Sequence, residues 1–323
     1  MAEIGINETE LVVPTDLDGH RADKVVAAVL GVSRGSSRVL IDGGGVSIDG
    51  LAVEPAQKLR AGAIMKVVRP AEPEGLTPLD HPLLVRYESA AALVIDKPPG
   101  LVVHPGAGHR NDTLASVLLF HYPELEPLGE SHRWGLAHRL DRDTSGLLLV
   151  GRTPSAHENL QAQLKSRSIR RVYLALVHGR MEPATGTVEA PIGRDTEHPT
   201  RMALRQDGRF ARTHYRRLAG WEDLSLLEVT LDTGRTHQIR VHLSSIGHPL
   251  AGDKTYGRRR TSAGNPGRVW LHARQLTFRD PEDSADEVTV VSPLPPDLAS
   301  SVEGLGEPLV GEVPAEVFRA DTA

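Results

Sequence analysis

The chain has no cysteine among its 323 residues. Disulfides, thiolate zinc sites and cysteine nucleophiles are therefore excluded. No apolar run approaches the roughly 18 residues that a membrane-spanning helix needs. The opening MAEIGINETELVVPTD is acidic and poor in apolar residues, unlike a signal or transit peptide, so a cytoplasmic protein is expected. There is no G-x-x-x-x-G-K-[ST] phosphate loop, and no G-x-G-x-x-G follows a strand. The fifteen histidines include no H-E-x-x-H pair. His237 and His242 lie five apart, a spacing that does not share a helical face. Gly31-Val32-Ser33-Arg34-Gly35 fits the G-x-S-x-G pattern of a hydrolase elbow. A helix precedes it, however, where that motif requires a strand.

What is present suggests two domains, since the length favours about two. Residues 1–14 read as a loose tail. A compact block follows over 15–70. HRADKVVAAVLG is expected to be a helix, with Val26, Val29 and Leu30 on one face and Gly31 ending it. A second helical turn falls near SRGSSRVLIDGG, and VSIDG and AIMKVV read as short strands. Residues 71–82, rich in proline and polar groups, read as a linker. The larger domain is placed at 83–298. ALVID, SGLLLVG, RVYLALVHG and LSLLEVTL are its expected strands, several buried on both faces. SAHENLQAQLKSR is an expected helix, with Ser155 as N-cap and Ala156, Leu160 and Leu164 inward. THQIRVHLSSIG is another, with Ile239, Leu243 and Ile246 inward and Gly247 as terminator. Strands and helices do not alternate strictly, which disfavours a doubly wound sheet and favours α+β. Residues 299–323 read as an acidic C-terminal tail. From Glu303 to Asp321 every charge is acidic except Arg319.

Net charge is −5, which taken globally argues weakly against a nucleic-acid partner. The stretch from Lys165 to Arg217 is nevertheless rich in arginine, and phosphate contacts respond to the local field. A solvated charged face explains that stretch equally well.

Three segments stand out. His138-Arg139-Leu140-Asp141-Arg142-Asp143-Thr144-Ser145-Gly146 sets two carboxylates among arginines, just before an apolar strand. Such a turn can aim a carboxylate into a cleft while the strand fixes it. Taken alone, it could equally be a surface turn with Arg-Asp pairs. Tyr173 sits among apolar residues of RVYLALVHG, either as a core tyrosine or as a platform for a base. In GRTHQIRVH, Arg240 adjoins the apolar stripe of Ile239 and Leu243. A cation there either snorkels to water or pairs with a buried carboxylate.

In this order, HRLDRDTSG, RVYLALVHG and GRTHQIRVH resemble the motifs of the RluA/RluD family of pseudouridine synthases. VIDKPPGLVVHPGAGHRNDTLASVL resembles the entry to that catalytic domain, particularly its RluD branch, and WLHARQLTF a later segment. The resemblance spans roughly Leu83 to Phe278. The N-terminal block, with Arg21-Ala22-Asp23-Lys24, Ser33-Arg34 and GGGVSIDG, resembles an S4 RNA-binding domain. The resemblance implies an α+β catalytic domain with a mixed, mainly antiparallel sheet and a central RNA cleft, joined to a small S4-like module. It implies Asp141, not Asp143, as the catalytic aspartate, Tyr173 as the active-site tyrosine and Arg240 as the partner of Asp141. It implies Arg139 as the residue that displaces the target base. His138, Arg142, Arg235 and His237, with Arg21, Lys24 and Arg34 in the N-terminal block, are the expected RNA contacts. Arg171 stands where lysine is more usual, and Phe210 where proline is more typical.

The implied reaction breaks the N1–C1′ bond of uridine, turns the uracil and joins C5 to C1′. It gains no atom and transfers no electron, so no cofactor or metal is expected. Asp141 must be ionised in any route, and burial disfavours charge, so a cationic partner is required. The implied partner is RNA, with large-subunit ribosomal RNA favoured and the helix 69 loop the best candidate, acted on by a monomer. Transfer RNA modification, or a non-catalytic RNA-binding role in ribosome assembly, are the alternatives. A hydrolase built on Gly31 to Gly35 is more distant, and labelling by a serine-directed probe would reveal it. Removing residues through Pro70 should leave a folded catalytic domain that binds RNA more weakly and with a shallower salt dependence. Thermal melting and filter binding across a salt series check this, and an unchanged slope would mean that the N-terminal block does not touch the RNA.

Overall fold

The computed structural model describes residues 6–32, 34–70, 76–106, 109, 111–129, 133–198, 200–257, 264–283 and 287–319. Ser33, and with it the serine of the G-x-S-x-G pattern, lies outside them. The chain divides into two compact units, Met1–Gly75 and Leu76–Ala323.

In the first unit, helices α1 (Ala22–Leu30) and α2 (Arg34–Asp42) accompany a four-stranded antiparallel sheet. Its strands are β1 (Ile6–Val12), β2 (Val46–Ile48), β3 (Leu51–Ala52) and β4 (Ile64–Pro70), in the order β1-β4-β2-β3. Gly31 stops α1 with φ +65°, a conformation that glycine adopts without a Cβ penalty. The buried face of α1 is set by Ala22, Val25 and Val26, with Val29 and Leu30 half-buried at its edge. The expected loose tail is corrected here. Residues 6–12 pair with β4 along its full length, from Ile6 opposite Pro70 to Val12 opposite Ile64, and Val13 is buried. An acidic, sparsely apolar sequence gave no local sign of this, because the partner lies more than fifty residues away.

The second unit is built on a large mixed sheet. Its strands are β5 (Leu84–Glu88), β6 (Ala92–Lys97), β7 (Ser145–Gly151), β8 (Arg170–His178), β9 (Thr185–Glu189), β12 (Arg212–Gly220), β13 (Leu224–Leu231), β14 (Leu271–Arg279), β15 (Glu287–Val291) and β16 (Val310–Gly311). A separate ribbon pairs β10 (Ile192–Arg194) with β11 (Met202–Leu204). The main path runs β16-β12-β13-β8-β14-β7-β6-β5, with β15 on β14 and β9 on β12. Among the described residues, every strand pairing in this sheet is antiparallel except β7 with β14. The helices are α3 (Leu114–His121), α4 (Pro154–Ser166), α5 (Gln238–Ser245) and α6 (Pro296–Glu303). All seven residues of β7 are buried, as its unbroken apolar run predicts for a strand covered on both faces. The unit is α+β, as expected.

Three local expectations are corrected. The N-cap of α4 is Thr153, whose side chain accepts from the Ala156 amide, and Pro154 takes the first helical position. Ile246 is 40% exposed, because α5 ends at Ser245 and the inward stripe stops at Leu243. Residues 299–319 are part of the second unit's fold rather than an appended acidic tail. They finish α6, add β16 to the edge of β12 and bury Val317, whose carbonyl accepts from the Leu294 amide at 2.9 Å. The buried Arg274 anchors the same segment by donating to the carbonyls of Ser292, Glu316 and Arg319.

The parallel junction of β7 with β14 is tight. Gly146 has φ +109°, and a Cβ added there would lie 2.3 Å from the Ala273 carbonyl oxygen. Gly146→Ala should therefore lose at least about 2 kcal/mol of stability through strain and steric conflict. Urea unfolding checks this, and a variant of unchanged midpoint would mean that β7 and β14 can separate freely.

Candidate active site

The turn before β7 delivers Asp141 to a cavity of about 570 Å³. Asp141, Tyr173, Arg240, Arg139, His138, Arg235 and His237, all singled out in the sequence, line it together. Tyr173 comes from β8, Arg240 from α5, and His237 from the residue capping that helix.

Arg240 holds the centre. Its Nη1 donates to Asp141 Oδ2 at 3.2 Å. Its Nε and Nη2 grip Asp253 in a two-pronged pair at 2.8 and 2.9 Å. The Asp253 side chain is fully buried and also accepts from the amides of Thr255 and Tyr256. Burial alone would raise the Asp253 pKa, but Arg240 and those two amides hold it below the ordinary carboxylate value. Burial opposes the Arg240 charge, and the two carboxylates more than offset this, raising its pKa. The Arg240 guanidinium also lies over the Tyr256 ring, 5.1 Å from its centroid. Among the described residues, nothing donates a hydrogen bond to Asp141 Oδ1.

Tyr173 is buried, and burial raises its hydroxyl pKa. His237 Nε2 stands 4.0 Å from Asp141 Oδ2, while its Nδ1 meets the Tyr256 hydroxyl at 2.8 Å. Burial lowers the His237 pKa. Arg235 donates to the Phe210 carbonyl at 3.0 Å, and burial and the nearby Arg209 lower its pKa. Lys165, Arg167, Arg171 and Arg209 also line the cavity, so part of the arginine-rich stretch gathers there.

The remaining expected contacts differ in setting. His138, in the cavity wall, is buried, accepts from the Leu149 amide at 3.3 Å, and is pushed down to about 3 by burial. Arg142 faces outward and pairs with Asp143 at 3.1 Å. In the first unit, Arg21 and Arg34 both pair with the buried Asp23, at 3.2 and 3.0 Å, and Lys24 is exposed beside His20. Hydrogen bonding from Arg21 is the largest influence holding Asp23 down to about 2.

Two residues that the sequence reading passed over complete the site. Asp253, in AGDKTYG, carried only a turn-like signal. Lys97, in VIDKPPG, is fully buried and donates to the carbonyls of Pro98, Leu101 and Arg142 at 2.7, 3.0 and 2.9 Å. Burial pushes it down to about 7. A lysine at the end of a run of buried strand residues was the available hint.

A carboxylate held by a buried cation, an aromatic wall and a rim of arginines can act on a flat base carried by an anionic backbone. That is the equipment of an enzyme that modifies nucleic acid. Residues 91–245 match the family model for RNA pseudouridylate synthase. The chain is 43% identical to "Ribosomal large subunit pseudouridine synthase D" of Nitrosomonas europaea, over 93% of this chain and 88% of that protein. It is 40% identical to "Uncharacterized RNA pseudouridine synthase YlyB" of Bacillus subtilis, over 93% and 99%. Among solved structures, "Human RNA Pseudouridylate Synthase Domain Containing 1" is similar, with a TM-score of 0.55 and 29% identity over 70% of this chain and 90% of that one. The chain belongs to the RluA/RluD family of RNA pseudouridine synthases and is an enzyme of that class.

Arg240→Met should destabilise the second unit by about 3–5 kcal/mol, because it strands the buried Asp253 without its cation. It should also remove activity. Denaturant unfolding and a tritium-release assay check both effects, and a stable, active variant would exclude Arg240 as the partner of Asp141.

Proposed function

We propose that the enzyme isomerises uridines in large-subunit ribosomal RNA, with the uridine-rich loop of helix 69 as its target. The observation that carries the substrate class is the set of relatives named "Ribosomal large subunit pseudouridine synthase D". They come from Nitrosomonas europaea, Pseudomonas aeruginosa and Neisseria meningitidis, at 43%, 40% and 39% identity. A loop is also where extruding a base costs least. The Bacillus subtilis relative carries no substrate in its name, and transfer RNA is the second reading.

In this reading the extruded uridine enters the cavity beside Asp141, and its base stacks on Tyr173. Arg139 fills the space that the base leaves. Asp141 presents Oδ1 as the nucleophile or base, and Arg240 holds the carboxylate through Oδ2. Arg235 and His237 meet the backbone at the cavity, and Arg21, Lys24 and Arg34 of the S4-like unit meet RNA elsewhere. The enzyme acts as a monomer in the cytoplasm. Among the described residues, no helix is long and apolar enough to cross a membrane. The geometry around Asp141, Tyr173 and Arg240 favours catalysis over a purely binding role.

Deleting the gene and mapping pseudouridine by carbodiimide-dependent primer extension tests the assignment. Marks in helix 69 should disappear, return with wild type and stay absent with Asp141→Asn. Asp143→Asn should restore them, since that side chain faces outward and pairs with Arg142. Loss confined to transfer RNA would overturn the substrate and leave the enzyme class standing.

A further inference from the structure

The turn that carries Asp141 has its backbone oxygens occupied one after another. The Asp141 carbonyl accepts from the Thr144 amide at 3.1 Å. The Arg142 carbonyl accepts from Lys97 Nζ and from the Gly100 amide, both at 2.9 Å. The Asp143 carbonyl accepts from Arg268 Nη1 at 3.0 Å. Arg268 lies outside the cavity lining, and its side chain is only 11% exposed. Its other donors reach Ser145 Oγ, at 3.1 Å from Nη2, and the Asp297 carboxylate, at 2.6 Å from Nε and 3.2 Å from Nη2. Asp297 stands in the first turn of α6, where a carboxylate also suits the helix dipole.

The proton order beneath this contact is fixed by chemistry. A guanidinium only donates, so Ser145 Oγ must accept from Arg268 and direct its own proton elsewhere. Its neighbour is His272 Nδ1 at 3.0 Å. His272 Nε2 in turn faces the Ser292 carbonyl at 3.2 Å, which can only accept. Neutral His272 with its proton on Nε2 satisfies both bonds, and burial does hold its pKa down, to about 4. The Ser292 side chain is held separately, its Oγ donating to Asp96 at 2.7 Å. Each group has one role, so Ser145 presents its lone pair to Arg268 in a single orientation.

We propose that Arg268 is a positioning residue for the reaction: a guanidinium that ties the backbone of the Asp141 turn to α6, and so sets where the Asp141 carboxylate points. This rests on the reading of Asp141 as the catalytic carboxylate. Lys97 secures one carbonyl of the turn from β6, and Arg268 secures the next from the opposite direction in sequence. With Arg268 removed, Asp143 can swing, and Asp141 two residues earlier swings with it. RNA binding does not depend on this, because Arg268 lies away from the cavity.

The experiment is steady-state kinetics and filter binding on full-length Arg268→Gln, Arg268→Lys and Asp297→Asn, with Asp141→Asn alongside. Displacement of the carboxylate on the ångström scale should lower kcat at least about tenfold in Arg268→Gln. KM and RNA affinity should stay within about twofold of wild type, as for an interaction that matters only in the transition state. Lysine reaches the Asp143 carbonyl or Asp297 but cannot fork to both, so Arg268→Lys should lie between. Asp297→Asn should fall in the same direction by less. A graded fall in kcat at constant KM supports the proposal. Unchanged kcat in soluble Arg268→Gln overturns it, as does a rise in KM at constant kcat. If Arg268→Gln does not fold, the other two variants decide: lowered kcat at constant KM supports the proposal, and unchanged kcat in both overturns it. An active Asp141→Asn would sink the reading of the site, whereas an inactive one beside an unaffected Arg268 series sinks only the brace.

Discussion

Arg240 is shared unequally between two carboxylates, and the rest of the site follows from that inequality. Toward Asp253 it makes two short bonds to a side chain with no exposure, itself fixed by two backbone amides. Toward Asp141 it offers one longer bond through its remaining edge. The first pair is structural, since a buried carboxylate that loses its cation is costly. It also fixes the guanidinium plane before any substrate arrives. The second pair holds Asp141 through one oxygen without occupying the other. A carboxylate gripped on both sides would have neither oxygen available. Asp253 takes the bidentate grip, and Asp141 keeps a free edge.

Aiming that edge is a task for the backbone. Asp141 sits four residues before a strand buried from end to end, and at Gly146 that strand comes too close to Ala273 for any side chain. This parallel contact sits beside the antiparallel β8, which carries Tyr173 opposite Ala273. One close approach therefore sets the spacing between the carboxylate turn and the aromatic wall. The buried Lys97 costs desolvation, and three carbonyl acceptors offset it. An apolar residue there would leave the Arg142 carbonyl with only the Gly100 amide.

Much of this was legible in the sequence where the signal was local. The apolar runs of β7 and β8 announced strands covered on both faces, and Gly31 announced the end of α1 through the one conformation it adopts easily. The motifs around Asp141, Tyr173 and Arg240 converged on one cavity. What was hidden depended on distant partners. The first residues looked loose because β4 supplies their hydrogen bonds, and the last looked loose because their acids face water while Val317 and Leu298 face the core. Asp253 was hidden for the same reason. Thirteen residues and the end of a helix separate it from Arg240, and nothing near it in sequence says that a cation will arrive. His138 lines the same cavity, with its Nε2 tied to the strand it precedes.

The net charge of −5 misleads because charge is sorted in space. Arg21, Arg34, Arg86, Arg152, Arg205, Arg212, Arg216 and Arg268 each have a carboxylate partner. Arg139, Lys165, Arg167, Arg209 and Arg235 line the cavity and have no carboxylate partner among the described residues. Burial, with the nearby Arg209 adding to it, lowers the Arg235 pKa. Unneutralised cations repel one another, so gathering them costs stability unless a polyanion relieves the repulsion. An RNA backbone does so, releasing its own counterions as it binds. Part of the chain's acidic charge is held in those arginine pairs, by side chains that do not line the cavity.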